Sequence, residues 1–188
     1  MKTKLEYYYV VEKFVEHEIF KSVLLDCFEK QSNEFVRKEE EYYTDNIHKL
    51  DWEQRENWNR EWVQLLKPIL MNRLSEIFYK LGFQSITLDA LWFQQYNQHG
   101  THGWHIHSSN FTGVYYVELN SNSPKTELLN PITQTHIITP EVSEGDLLLF
   151  PSSIIHRAPK VKHESRKTII SFNITLGLIS NDVLEKIK

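Results

Sequence analysis

All six glycines and five of the six prolines of this 188-residue chain stand at or after residue 82. Glycine punctuates a backbone by reaching positive φ, and proline by fixing φ and removing a donor. A chain that withholds glycine entirely, and proline but for Pro68, until residue 82 is therefore written as long elements first and short, turn-separated elements afterwards. The apolar pattern agrees with that division. Ile19, Phe20, Val23, Leu24, Cys27 and Phe28 form a helical stripe within about residues 17–31. A second stripe runs through Trp62, Leu65, Leu66, Ile69, Leu70, Leu74, Ile77, Phe78 and Leu81. Asp51 and Gln54 have capping-box spacing, Pro68 predicts a kink or a break into two stacked helices, and Gly82 is placed to end the second stripe. Ahead of both helices, residues 5–11 (LEYYYVV) are aromatic and β-branched and predict a first strand. Residues 32–58 are charged and aromatic without a period and read as loop, short helix or lid.

Beyond residue 82 the period changes to two. Ile86, Leu88, Ala90, Trp92, Gln94 and Tyr96 alternate with more polar positions and predict one face of a strand. Further strands are expected at 112–119, 146–150 and 166–177, with short elements at LLNPI and Thr135–Ile138. Many short strands joined by tight turns suggest a jelly-roll barrel, with the helices bracing its outer face. The expectation is a mainly β, α+β protein of one domain, 1–188: a mostly helical layer over 1–82, a cupin-like double-stranded β-helix core over 83–178 and a tail over 179–188.

Chemistry concentrates in WFQQYNQHGTHGWHIHSSNFTGVYY, residues 92–116, where His99, His102, His105 and His107 fall within nine positions. Residues i and i+2 of an extended strand project from one face, so His105 and His107 can reach a single ion. Downstream, GDLLLFPSSIIH gives a turn, an apolar strand ended by Pro151, and a third candidate ligand in His156. Arg166 then opens a β-rich run in which an inward guanidinium can grip a carboxylate.

This set, from about Trp92 to Asn173, resembles the Fe(II)/2-oxoglutarate-dependent oxygenases. It is most similar to a subfamily in phages and bacteria with His-x-His, a GVYY-like strand, FPS before the distal histidine and an arginine leading to Phe-Asn. The resemblance implies a double-stranded β-helix that couples oxidative decarboxylation of 2-oxoglutarate to hydroxylation of a substrate. It implies Fe(II) on His105, His107 and His156, with His107 where most members carry a carboxylate. A neutral third ligand leaves the ion its full double charge and makes zinc, nickel or copper plausible occupants. Arg166 is then expected to hold the distal carboxylate of 2-oxoglutarate, and Tyr96 and Tyr116 to hydrogen-bond the co-substrate. The inward direction of Tyr116 rests on the resemblance, since Tyr115, Val117 and Leu119 form an equally apolar alternate face. His99 and His102 are expected at the rim or in solvent.

A metal-binding cupin that does not use 2-oxoglutarate is the alternative, because GDLLLFPSSIIH has the spacing of a second cupin motif. Against it, no glutamate follows His107 at cupin spacing and Arg166 has no role there. Net charge of −4 and a pI near 6.1 argue against a global field for nucleic acid, so a small-molecule or peptide/protein substrate is expected over duplex nucleic acid. Arg157, Lys160, Lys162, His163 and Lys167 nevertheless make a local basic run. Cys27, the only cysteine, lies on a helical stripe and reads as core. The N-terminus lacks a signal-peptide pattern and no stretch is long enough to span a bilayer, so a cytoplasmic setting is expected, that of the host if the chain is phage-encoded.

Overall fold

The structure, a computed structural model, describes residues 9–31, 36–40 and 43–186. Its N-terminal part contains β1 (Val10–Lys13), α1 (His17–Glu29), β2 (Val36–Glu40), β3 (Tyr43–Ile47), β4 (Lys49–Leu50), a 3-10 turn at Trp52–Gln54 and α2 (Glu61–Lys80). There follow β5 (Ile86–Tyr96), β6 (His102–His105), β7 (Phe111–Glu118), β8 (Glu127–Leu129) and β9 (Ile137–Ile138). The chain closes with β10 (Asp146–Pro151), β11 (His156–Ala158), β12 (Lys167–Leu176) and α3 (Asn181–Lys186). A six-stranded sheet in the order β1-β10-β7-β12-β5-β4 faces a four-stranded sheet in the order β6-β11-β8-β9. This is the double-stranded β-helix, a mainly β fold with a helical layer.

The larger sheet is buried on both faces. On one face lie α1 and α2, whose Leu24, Phe28, Trp62, Leu66, Leu70 and Phe78 pack with Phe93, Tyr115, Leu147, Ile170 and Phe172. On the other, Tyr96, Val114, Tyr116, Leu148, Phe150 and Ile169 point between the sheets. Alternate residues of one strand thus serve different cores. Gly113 is the point of closest passage, because a Cβ there would stand 2.0 Å from the Phe172 ring.

Several local expectations are revised. Residues 5–8 of the predicted first strand lie outside the described residues, and β1 begins at Val10. The part before residue 82 is less helical than its stripes imply, since β1 and β4 join the main sheet and β2 pairs with β3. Pro68 sits inside a helix that runs unbroken over Glu61–Lys80. Pro68 and Gln64 lie on its exposed side, where water takes the carbonyl that the missing N–H leaves. Gly82, at φ 94, ends α2 as expected, with Phe83 N donating to Phe78 O at 2.9 Å.

The single face predicted from Ile86 to Tyr96 is broken by a bulge. The register steps from Asn173↔Ala90 to Ile174↔Leu88, leaving Asp89 as the extra residue. Leu88 therefore packs under the helices, whereas Trp92, Gln94 and Tyr96 line the cavity between the sheets.

Asp51 makes no cap. Its carboxylate is buried, accepting from Arg60 at 2.5 Å, from Trp62 Nε1 at 3.1 Å and from Phe93 N at 2.8 Å. Arg60 also donates to Leu91 O at 2.6 Å, so one ion pair ties the start of α2 to the middle of β5. Removing one partner of a buried pair strands the other. Asp51→Ala should cost about 3–5 kcal/mol in urea denaturation. A loss below about 1 kcal/mol would mean that solvent reaches Arg60 and that the pair does not clamp the layer.

Candidate active site

His105, at the end of β6, and His156, at the start of β11, are direct partners in the antiparallel register of the smaller sheet. His107 follows two residues later, where its backbone N donates to Ser152 O at 3.1 Å and so is tied to the turn before β11. These pairings bring one ring nitrogen from each of the three histidines to within 4.8 Å of the others. His105 Nδ1 lies 2.7 Å from Gly103 O, and His156 Nδ1 lies 2.9 Å from Ile154 O. A carbonyl only accepts, so both Nδ1 atoms carry the proton and both Nε2 lone pairs are free.

Burial holds all three rings neutral. It pushes His156 down to about 2, aided by neighbouring His105, and His107 down to about 4; His105 is lowered for the same reason. Neutral, pre-oriented imidazoles are the form that binds a metal, so a divalent ion fits this donor set.

His102 lines the pocket outside the group of three, which agrees with the rim alternative of the sequence expectation. Its ring stacks on His105 at 3.9 Å and 16°, with Gln94 Nε2 3.3 Å from its Nδ1 and Asp45 3.8 Å from its Nε2. His99 is exposed, at φ 68.

The cavity between the sheets is lined from the histidines by Gln94, Val114 and Ile169 to Tyr96 and Thr126. Tyr116 points inward, and its hydroxyl donates to Thr126 Oγ1 at 2.7 Å; Tyr115 lies under the helices, with its hydroxyl 2.8 Å from His17 Nδ1. Trp92, beside His107 with ring centroids 5.7 Å apart, has a buried Nε1 with no hydrogen-bond acceptor among the described residues.

Arg166 does not enter this cavity. Its guanidinium grips Glu118 with two bonds of 2.8 and 2.9 Å and reaches Glu29 at 2.5 Å, on the outside of the sheet. The reason is parity. Arg166 shares its alternate set with Ile170, Phe172 and Ile174, which face the helices, while Lys167, Ile169 and Ser171 share the other. Lys167 is the inward cation that sequence reasoning missed, although the alternation of its own strand carried the signal. It is 1% exposed, and its Nζ donates to Pro124 O at 2.7 Å and lies 5.6 and 6.0 Å from the Tyr96 and Tyr116 ring centroids. Among the described residues it has no carboxylate partner, and burial lowers its pKa to about 7. A buried cation paired only with a carbonyl fits an incoming carboxylate.

The jelly roll thus brings together three neutral imidazoles, with a buried cation beside Tyr96 at the cavity wall, an arrangement that can hold a divalent ion and an anion. Comparison with known proteins adds a likeness. Residues 90–173 match the family described as "Putative 2OG-Fe(II) oxygenase". The fold is shared with an oxidoreductase of the 2OG-Fe(II) oxygenase family from Burkholderia pseudomallei, at TM-score 0.70 and 12% identity over 94% of this chain and 89% of that one. It is shared also with a viral collagen prolyl hydroxylase of Paramecium Bursaria Chlorella virus-1 (TM-score 0.60, 15% identity, 90% and 96% covered). A prolyl-4-hydroxylase of Pseudomonas putida is similar too (0.60, 14%, 92% and 95%). No curated protein sequence matches the chain. The family match covers less than half of the chain, and the solved structures, at 12–15% identity, share its fold.

The neutral histidines set an acid limit on the metal-free fold. Unfolded histidine takes up a proton near 6.5, whereas His107 and His156 resist to about 4 and about 2. The unfolded chain binds more protons in that interval, so stability is full above pH 6.5 and declines as pH falls from there toward 4. Melting midpoints of the metal-free protein between pH 7 and pH 4.5 should drop, and His156→Asn should drop less steeply. An identical slope in the variant would show that His156 is not held neutral.

Proposed function

We propose that this protein is an Fe(II)/2-oxoglutarate-dependent oxygenase that holds its iron on His105, His107 and His156 and seats the distal carboxylate of 2-oxoglutarate on Lys167, with Tyr96 and Tyr116 forming the walls around it. The buried, carboxylate-free Lys167 carries this reading. A dianion entering a desolvated cavity needs compensating charge, and a divalent ion on three neutral imidazoles together with one ammonium supplies it. Bound iron and 2-oxoglutarate supply the oxidising power, as decarboxylation of the keto acid to succinate and carbon dioxide activates dioxygen for hydroxylation of the substrate. The protein's residues would do the rest: the imidazoles would hold the ion, Lys167 and the tyrosines would orient the co-substrate, and Val114 and Ile169 would exclude water between them.

The substrate we propose is a peptide, a protein side chain or a small molecule, in preference to duplex nucleic acid. Net charge is −4, and two cations of the local basic run are committed elsewhere. Arg157 is bound to Glu127 at 2.7 Å and stacked on Trp104 at 4.4 Å, and Lys167 is turned inward. Too few free cations remain to hold a phosphate backbone. The unpaired Trp92 N–H beside His107 suits a substrate that presents an acceptor oxygen, as a peptide does. No helix among the described residues is long and apolar enough to cross a membrane, and a cytoplasmic setting is part of the same proposal.

Calorimetry of the metal-loaded protein with 2-oxoglutarate tests the assignment. Lys167→Met should weaken binding on the order of 10- to 100-fold, and Arg166→Ala should leave it unchanged. Binding should also weaken as pH rises above 7, since the free amine titrates near 7 and the bound one keeps its proton. Wild-type affinity in Lys167→Met, or no metal dependence, would favour a cupin-type enzyme that does not use the keto acid.

A further inference from the structure

Two of the three candidate ligands have their tautomers set by backbone carbonyls, and the third does not. His107 Nδ1 faces the side-chain amide of Asn173, with Asn173 Nδ2 drawn 3.5 Å away. The other arm of that amide, Oδ1, lies 3.3 Å from Thr112 Oγ1, and Thr112 Oγ1 is 2.8 Å from Ser152 Oγ. Ser152 is fully buried, and its carbonyl also receives the His107 backbone N–H.

The orientation of this amide decides whether His107 can bind a metal. If Asn173 Nδ2 donates to His107 Nδ1, the ring's only proton must sit on Nε2, the atom that would otherwise offer its lone pair beside His105 and His156. If the amide is turned by half a revolution, Oδ1 accepts from Nδ1–H and Nε2 becomes a donor atom to the ion. The oxygen and nitrogen of an amide have nearly the same shape, so the turn costs no space, and hydrogen-bond logic decides between the two. In the turned orientation Nδ2 donates to Thr112 Oγ1, whose own proton is then free for Ser152 Oγ, and every contact of the chain has one donor and one acceptor.

The geometry points to Asn173 as the positioning residue for His107: its amide carbonyl accepts the Nδ1 proton, aims Nε2 at the metal, and is itself anchored by Thr112 and Ser152. The inference rests on the three-histidine site proposed above. It gives His107, the ligand that stands where related enzymes have a carboxylate, the same outer support that Gly103 O and Ile154 O give its partners.

The test uses Zn(II), a diamagnetic probe, on the full chain. Competition with a chromophoric chelator should give Asn173→Leu, which fills the space but accepts nothing, roughly 10- to 100-fold weaker zinc affinity than wild type. Asn173→Asp, which can only accept, should bind zinc at least as tightly as wild type. Long-range proton–nitrogen NMR of the zinc-loaded wild type should show His107 protonated at Nδ1 and coordinated through Nε2, a reading that needs no variant to fold. Coordination through Nδ1, wild-type affinity in Asn173→Leu, or an Asp variant as weak as the Leu variant would each overturn the inference while the three-histidine site stands. Failure of the wild type to bind zinc, or full binding by His156→Ala, would overturn both.

Discussion

The ladder that seats β12 between β5 and β7 is the constraint from which the rest of the molecule follows. Ten residues of β12 pair with β5 and seven with β7, and one register decides which alternate residues meet the helices and which meet the cavity. Ile170, Phe172 and Ile174 go to the helical side, where their burial supplies much of the core; Lys167, Ile169 and Ser171 go to the other. A shift of one residue would exchange the two sets, turning Arg166 toward the cavity and Lys167 toward the helices. The Gly113–Phe172 contact guards that register, because only a residue without a Cβ lets the ring lie across β7.

Within the cavity, burial acts on two kinds of group in one direction and with different chemical results. It keeps His105, His107 and His156 uncharged, which is the state a metal requires, and it lowers the ammonium of Lys167 toward neutrality, which makes a carboxylate partner worth more there than at the surface. The metal and co-substrate proposed above would complete a charge balance that the protein leaves open. The outer face shows the opposite arrangement. Arg166 is satisfied by Glu118 and Glu29 in partly exposed pairs, so it helps hold α1 against the sheet's edge and has no charge left for a ligand.

The helical layer is more than a cover. Asp51 and Arg60 meet at the middle of β5, three residues before Gln94, and their bonds to Phe93 N and Leu91 O fix the strand just past its bulge. The bulge at Asp89 turns Leu88 toward α2 and lets Trp92, Gln94 and Tyr96 point together into the cavity. Rigid support of this kind keeps a site in place when its own groups are polar and poorly packed.

Spacing and composition by themselves pointed to the class of fold and to the three histidines that the fold brings together. A glycine-free helical half with a single proline, a strand-rich half, His-x-His and a distant FPSSIIH are local patterns, and local patterns survive in a linear chain. What they left open was direction. Tyr115 or Tyr116, Arg166 or Lys167, and the break in the Ile86–Tyr96 face each turn on which of two adjacent side chains points inward, and a strand's two faces are equivalent until a sheet packs against something. The capping-box spacing of Asp51 misled for a related reason: a carboxylate that caps a helix and one that neutralises a buried arginine look alike in sequence. Only the tertiary structure decided these, because burial against the helices, the β-bulge and the pairing of Arg166 with Glu118 and Glu29 arise from residues far apart in the chain.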